Sequence, residues 1–423
     1  MAAAMGRNVN TRCLRLSMLA FIVAASSGTA GAAEITVHPD GPIRTLTEAL
    51  TIAREGDRIV VHPGTYREGT IVVSKPVEIV GLDYPLFDGE HKHSVMIVRA
   101  SNVRIKGLEI ANVGISYVED KAGIKVEDAR NCIIEGNRLT NTFFGIYLAQ
   151  TADTHIIGND IRGQAVREAS SGNGIHLWYC KNITIADNQI RGHRDGIYLE
   201  WVVNSTIDRN VSEQNLRYGL HFMFSDSSIY RSNTFRSNGA GVAVMYTRNV
   251  QMIGNRMEHN RGAASFGLLL KDISDSRISG NAFLRNSVGL YSEGSSRVVI
   301  ERNEFIQNGW AVRIMASSLD NYFTRNNFIH NTFDVVTNSS RSFSTFEGNH
   351  WSAYRGYDLT GDGVGDVPYH PVRLFSFIVE RHPPTLVLLR SVFIDILDLA
   401  EHVIPSLTPE ALVDKKPMMY RIP

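Results

Sequence analysis

Soft metal-binding side chains cluster in the middle of the chain. His221 and Met223 are two residues apart, Met245 follows 22 residues later, and Met257 and His259 come shortly after as further candidates. Thioether and imidazole donors select Cu(I) among the biological metals. With few ligands and no thiolate, such a site would have moderate affinity and hold copper transiently. The alternative is that Met223 and Met245 only fill a groove that the C-terminal tail covers.

A repeated motif explains why these residues would meet. A Gly-apolar-x-apolar pattern recurs along the chain, an Asn follows each Gly after 14 residues, and most repeats are 22 or 23 residues long. A fixed period of this size is a solenoid signature. The glycines are Gly123, Gly145, Gly174, Gly196, Gly219, Gly241, Gly267 and Gly289. The asparagines are Asn137, Asn159, Asn188, Asn210, Asn233, Asn255, Asn281 and Asn303, and the series continues to Asn326 and Asn349.

The strands that start at each Gly have one buried face. Apolar residues alternate there, as in Ile197 and Leu199, which is the period of a β-strand. We predict an all-β fold, a right-handed parallel β-helix over residues 34–351, in which like residues of neighbouring coils stack roughly 4.8 Å apart. Met223 would then lie beside Met245, with His221 on the same outward face.

The same face offers carboxylates that a polysaccharide-cleaving enzyme would need. Glu127 and Glu200 are three coils apart in the predicted stack, roughly 14 Å, whereas a glycosidase pair lies about 5–9.5 Å apart. Asp195 and Asp226, outside this ladder, keep an enzyme open. We predict that the protein is not an enzyme. The alternative is a secreted polysaccharide-binding or polysaccharide-modifying β-helix.

The N-terminal residues predict export. Arg7, Arg12 and Arg15 precede a short apolar run and then small residues, the pattern of a secretory signal peptide over residues 1–33. A helix over Thr45–Glu55, with Thr45 as its N-cap, is predicted to cover the open end of the solenoid.

The charge balance and the cysteine positions exclude two further possibilities. The chain has 43 Lys and Arg against 43 Asp and Glu, with no basic block, which argues against a nucleic-acid partner. Cys132 and Cys180 are too far apart in the predicted stack for a disulfide, and Cys132 has the phase of a core residue.

The C-terminal region has two parts in the sequence. The Asp/Gly-rich segment 352–382 contains Asp358, Asp362 and Asp366 at the spacing of a calcium loop, but Tyr369 replaces its bidentate Glu. A calcium site and a turn held by Asp side chains both remain open.

Residues 383–423 form an apolar tail with a predicted helix over Thr385–His402. That helix either packs on the solenoid or docks on a membrane protein.

The motif from Asn349-His350-Trp351 to Tyr369 resembles the closing segment of the NosD family, and the opening from Gly56 to Tyr66 is similar to pectin-lyase-like β-helices. The resemblance implies a periplasmic accessory factor for copper-site maturation of nitrous oxide reductase. It also implies an ABC transporter, whose membrane subunit would bind the C-terminal tail, and a copper-carrying lipoprotein as partners. The protein would then associate peripherally with the inner membrane.

Overall fold

The computed structural model describes residues 32–116, 118–262, 264–339, 343–389, 391–403 and 412–423. The predicted signal peptide therefore lies almost entirely outside the described residues. The described chain forms a parallel β-solenoid, in which three sheets of 12, 14 and 13 strands run along the whole length. The predicted parallel β-helix is confirmed.

Each regular coil contributes one strand to each of the three sheets. Sheet 1 carries the Gly motifs and contains Ile71–Val73, Met96–Val98, Ala122–Glu127, Phe144–Ala149, Ile175–Trp178, Ile197–Glu200, Tyr218–Met223, Ala240–Met245, Phe266–Lys271, Val288–Glu293, Trp310–Ile314 and Phe333–Thr337. Sheet 2 contains Glu34–Val37, Arg58–Val61, Glu78–Gly81, Arg104–Lys106, Ile133–Glu135, His155–Ile157, Thr184–Ala186, Thr206–Asp208, Ile229–Arg231, Gln251–Ile253, Arg277–Ser279, Val299–Glu301, Leu319–Thr324 and Phe343–Glu347. Sheet 3 contains Thr65–Tyr66, Leu86–Asp88, Glu109–Ala111, Arg138–Thr140, Asp160–Arg162, Gln189–Arg191, Val211–Glu213, Thr234–Arg236, Arg256–Glu258, Ala282–Leu284, Glu304–Ile306, Asn327–Ile329 and His350–Trp351.

The core runs through the middle of the solenoid as stacks of like side chains. Ile197 and Leu199 are fully buried, as their alternation predicts. Aromatic rings take over the core in the last coils, where successive ring centroids lie 4.6, 4.9 and 4.1 Å apart in the stack Phe283, Phe305, Phe328 and Trp351. Cys132 and Cys180 are both free, and Cys132 is buried as predicted; Cys180 is buried as well.

The repeated asparagines form one continuous file, as the constant offset from Gly predicts. The backbone N–H and the side-chain amide of Asn188 both donate to Oδ1 of Asn210, at 3.0 Å each. Asn188 also donates to the carbonyl oxygens of Ile156 and Ala186. The same pattern joins Asn137 to Asn349, coil after coil. This asparagine ladder satisfies the buried polar groups of one corner.

A second ladder of asparagines was not predicted from the sequence. Its residues lie five positions after those of the first ladder, at the point where each coil turns from sheet 3 towards sheet 1. Backbone N–H groups donate to the next Asn Oδ1 at 3.0–3.1 Å along His193, Asn215, Asn238, Asn260, Asn286, Asn308 and Asn331.

The N-terminal helix is shorter than predicted. It spans Leu46–Ile52, and Thr45 and Glu48 form the expected capping box. It ends before Glu55 because the Lys75 ammonium already satisfies its last carbonyls, donating to the carbonyl oxygens of Leu50, Thr51 and Ala53. Leu46, Ala49 and Leu50 are buried, so the helix joins the core at this end.

The structure divides the C-terminal tail differently from the prediction. A helix over Leu374–Arg381 lies inside the segment predicted to be only Asp/Gly-rich. The single helix expected over Thr385–His402 is instead a 3-10 helix, Pro383–Leu388, followed by an α-helix, Val392–Val403. Two consecutive prolines without N–H donors explain the irregular start. Among the described residues, no helix combines the length and apolarity that crossing a membrane requires.

These helices pack on the outer side of the last coils. Phe375, Val379 and Ile394 form a small apolar cluster with Phe333 of sheet 1. Glu380 accepts hydrogen bonds from Arg313 at 2.8 and 2.9 Å.

The chain then returns to the last coil and closes it with Asp414. Its carboxylate accepts from the backbone N–H and side-chain amide of Asn349 and from the indole N–H of Trp351, at 3.0–3.1 Å. Two further donors are the backbone N–H groups of Gly348 and Lys416. Asp414 therefore stands where the next Asn of the ladder would be.

Candidate functional site

Three files of side chains run along the outward face of sheet 1 in the central coils. The histidine file, two residues after each Gly, contains Tyr147, His176, Tyr198, His221 and Ala243. The methionine file, four residues after each Gly, contains Ala149, Trp178, Glu200, Met223 and Met245. The aspartate file, one residue before each Gly, contains Asn173, Asp195, Tyr218 and Ala240. Parallel register, with no shift across these strands, holds the files straight.

Met223 and Met245 are direct register partners on neighbouring strands, as predicted. Both side chains are partly exposed. The Tyr198 hydroxyl lies 3.7 Å from the Met223 sulfur and also donates to Glu200 at 3.2 Å. Two thioethers therefore lie one coil apart beside a phenol and a carboxylate.

His221 is more enclosed than an outward position suggests. Only 3% of its surface is exposed, and neither ring nitrogen has a hydrogen-bond partner in the protein. The rings of Tyr198 and Tyr218, with centroids 5.0 and 4.7 Å from the imidazole, enclose it. A buried imidazole with two unpaired nitrogens fits a soft metal ion as a ligand, because a buried polar group without a partner is costly.

The histidine file continues as a stack of rings. Tyr147 and His176 stack with centroids 4.5 Å apart, and His176 and Tyr198 follow at 4.8 Å. Burial, reinforced by the charge of Arg194, lowers the pKa of His176 to about 3. Its ring is therefore neutral at neutral pH, and its Nδ1 already lies 2.9 Å from the Asn173 amide nitrogen.

Met257 and His259 do not join the other three candidates. Met257 is fully buried in the core on a strand of sheet 3, between Phe235 and Phe283 in register. His259 is exposed at the corner that follows this strand. The sequence placed both in the adjoining insertion, whereas the extra residues lie between Asn260 and Phe266, after this strand. The structure thus places His221, Met223 and Met245 on the same face of two adjoining strands.

Carboxylates on this face are not arranged as a glycosidase pair. Asp195 is fully buried, and Asp226 accepts from the backbone and side chain of Arg248 at 3.0 and 3.1 Å. Glu200 lies in the register of Met223, three coils from Glu127. Asp195 and Asp226, the two carboxylates that left an enzymatic function possible, are therefore buried or paired.

A file of aromatic residues, three of them exposed and Phe224 half-buried, borders the methionine file and was missed in the sequence. The rings stack with centroids 5.7, 4.5 and 5.2 Å apart and interplanar angles of 11–14° along Tyr179, Trp201, Phe224 and Tyr246. All four have φ between 50 and 56°, which is uncommon for bulky residues. The signal was available, since each lies five residues after a repeat Gly. Because the rings cover one another's faces, sugar rings have few faces left to stack on.

The segment with the spacing of a calcium loop is held by its own hydrogen bonds. Asp358 accepts from the backbone N–H groups of Gly361 and Gly363 at 2.6 and 2.8 Å. Asp362 and Asp366 likewise accept from backbone N–H groups within the segment. These contacts fit the turn held by Asp side chains. Over the described part of the chain, no three His, Cys, Asp or Glu side chains are grouped to hold a metal ion.

Known proteins show similarity to most of this chain. A family model described as periplasmic copper-binding protein (NosD) matches residues 157–356. A Pseudomonas aeruginosa protein named probable ABC transporter binding protein NosD is 30% identical over 392 residues, covering 88% of this chain and 90% of that protein. A protein of the same name from Stutzerimonas stutzeri is 27% identical over 422 residues, covering 95% and 92%.

Among solved structures, a family 28 exopolygalacturonase from Yersinia enterocolitica superposes with a TM-score of 0.53. It is 12% identical, and the match covers 77% of this chain and 79% of that chain. At this identity the likeness shows the β-helix fold alone.

Proposed function

Because the chain belongs to the NosD family of periplasmic copper-binding proteins, we propose that it is a non-enzymatic accessory protein that holds Cu(I) on the outward face of sheet 1. In this proposal it hands copper over during maturation of the copper sites of nitrous oxide reductase. An ABC transporter and a copper-carrying lipoprotein are its proposed partners. The observation that carries the proposal is the grouping of His221, Met223 and Met245 on adjoining strands.

The donor set suits transfer better than storage. Two thioethers and one imidazole are soft ligands that favour Cu(I), and no thiolate is present to bind it tightly. Met223 and Met245 are partly exposed, which leaves their sulfurs accessible to a partner. His221 is buried, so it would bind the ion from the protein side. An ion held in this way is accessible to a second set of ligands, as a hand-over requires.

A copper titration tests this proposal. We expect the double variant Met223→Leu/Met245→Leu to lose most Cu(I) affinity in anaerobic competition with a chromogenic chelator, because both sulfurs are removed. The matched control is Met252→Leu/Met257→Leu, which removes two sulfurs from the sealed core. If the first double variant binds Cu(I) with wild-type affinity, the two methionines are not copper ligands and serve only in packing.

The C-terminal helices provide the proposed contact with the transporter's membrane subunit, at the inner membrane. Ile394 packs on the solenoid, but the opposite side of the Val392–Val403 helix leaves large apolar side chains in solvent. Phe393, Ile396 and Leu399 are 52, 58 and 64% exposed. An apolar helix face that none of the described residues covers favours a protein partner.

Deleting the tail from Pro383 onward is a poor test, because the deletion also removes Asp414 from the last coil. A sharper variant is Phe393→Ser/Ile396→Ser/Leu399→Ser, which retains both Ile394 and Asp414. We expect this variant to fold as the wild type does but to lose co-purification with the transporter. Retained co-purification would assign the helix a structural role.

A further inference from the structure

Unpaired polar atoms are concentrated around His221. Five of the buried side-chain atoms that lack a hydrogen-bond partner in the protein lie in three neighbouring coils. They are Asn173 Oδ1, Arg194 Nε, Asp195 Oδ2, and Nδ1 and Nε2 of His221. Asp195 and Asn173 are fully buried, and His221 is nearly so. A native protein seldom leaves so many buried polar atoms unpaired in one place.

Asp195 lies at the centre of this cluster, and its position is fixed. Its Oδ1 accepts a hydrogen bond from the backbone N–H of Tyr218 at 3.2 Å. Its Oδ2 is then directed between two donors, 3.5 Å from Nε of Arg194 and 3.7 Å from Nδ1 of His221. Both distances exceed a good hydrogen bond by a few tenths of an ångström, and a small rotation of the imidazole would close the one to His221.

We propose that Asp195 is a positioning residue for the copper ligand His221. It accepts the proton of Nδ1–H and so leaves the lone pair of Nε2 free for Cu(I). This inference rests on the proposed function and adds a role that the metal-ligating residues alone do not reveal. Histidines that bind metals usually donate their other ring N–H to a carboxylate or carbonyl, which fixes the tautomer and the orientation of the ring.

A purely structural role for Asp195 explains less. Arg194 could balance the charge of Asp195, but its side chain is 30% exposed, so water can solvate the rest of its guanidinium although Nε is buried. His221 lacks that alternative, because both of its nitrogens are buried. Asp195 is the one carboxylate with an oxygen within 4.0 Å of a His221 ring nitrogen among the described residues.

The isosteric variant Asp195→Asn separates the two roles. Its Oδ1 would still accept from Tyr218, so its NH₂ group would face His221 where Oδ2 stood. An amide N–H donor at that place requires an unprotonated Nδ1, and the ring proton moves to Nε2. The nitrogen meant for copper is then blocked although size and shape are unchanged. A merely structural carboxylate would not move the ring proton.

The test begins with the copper-free protein. Nitrogen-15 NMR of histidine-labelled protein, with the His221 signals assigned through His221→Gln, reports which nitrogen carries the proton. We expect Nδ1–H in the wild type and Nε2–H in Asp195→Asn. Asp226→Asn, a carboxylate paired with Arg248, is the control and leaves the His221 signals unchanged. An unchanged tautomer in Asp195→Asn would overturn the inference.

Copper titration completes the test. We expect Cu(I) affinity to fall about 10–100-fold in Asp195→Asn, and to fall in Asp195→Leu, which removes the acceptor without adding a donor. Thermal melts of both variants confirm folding. If Met223→Leu/Met245→Leu loses copper and Asp195→Asn does not, the positioning role fails while the proposed function stands. If the methionine variant binds as the wild type does, the proposed function itself fails.

Discussion

The asparagine ladder and the cluster around His221 are both built by stacking side chains in successive coils, yet they end in opposite states. In the ladder each Asn finds an identical neighbour, so its donors and acceptors are used. Around His221 the residue type changes from coil to coil, and several buried polar atoms have no partner. Repetition therefore satisfies polar groups in a solenoid, and interruption of the repeat leaves groups that can bind something else.

Breaking the ladder should have the largest effect on stability. Asn210→Ala removes the acceptor of two Asn188 donors and the donor to Ile185, all of them buried. At about 1–3 kcal/mol for each group left unsatisfied, we expect a loss of about 3 kcal/mol or more. The measurement is urea denaturation read together with amide hydrogen exchange, since a solenoid need not unfold in one step.

The control is Gln251→Ala, an exposed amide on an outward strand position, which should shift stability by less than about 0.5 kcal/mol. Equal effects of the two variants would contradict the role given to the ladder.

The end of the ladder should rank next. Asp414→Ala removes the acceptor for five donors without adding bulk, and the space it leaves admits water that can pair with some of them. We therefore expect a smaller loss, about 2–4 kcal/mol, that is confined to the C-terminal coils. Hydrogen exchange of Phe346 and Trp351 would report it. Exchange that rises equally in the N-terminal coils would show that Asp414 does not act as a local cap.

A smaller, pH-dependent effect is expected at Asp334, beside the end of the second ladder. Desolvation is the main reason why the pKa of Asp334 rises to about 6. The folded protein then binds this proton more tightly than the unfolded chain, so the contribution to stability is present below about pH 4 and lost as pH rises through about 6.

Asp334→Asn removes this dependence. Relative to the wild type it should gain about 1–2 kcal/mol between pH 4 and pH 7, measured by thermal melts across that range. A difference between the two proteins that does not change with pH would contradict the assignment.

The outward face should contribute least to stability. Met223→Leu/Met245→Leu conserves volume on a partly exposed surface and should cost less than about 1.5 kcal/mol. A larger loss in urea denaturation would show that the methionines are structural, which would remove the contrast with the ladder.

Much of the fold could be predicted because the repeat is visible residue by residue. The offset of 14 residues from Gly196 to Asn210 sets the register of two sheets at once, and the structure keeps it. The N-terminal helix was predictable because Thr45 and Glu48 form a local capping motif. Asp414 was not, because it lies 65 positions after Asn349 in the sequence, beyond the end of the repeat.

The site was predictable only in part, for a related reason. Met223 and Met245 share the repeat phase, so their register could be derived from the sequence. Met257 follows the phase of sheet 3, and its inward position there is hard to distinguish in the sequence from the insertion that follows. Asp195 lies one residue before Gly196, at a bend that turns its side chain to the outward face. The strand alternation of inward and outward residues does not hold across a bend, so it could not place Asp195 there.

The most direct test of a copper site on this face is X-ray absorption spectroscopy of the protein loaded with one equivalent of Cu(I). We predict a first shell with sulfur and imidazole nitrogen, from Met223, Met245 and His221. The sulfur contribution should disappear in Met223→Leu/Met245→Leu and persist in Met252→Leu/Met257→Leu. A first shell of nitrogen and oxygen alone in the wild type would contradict the account.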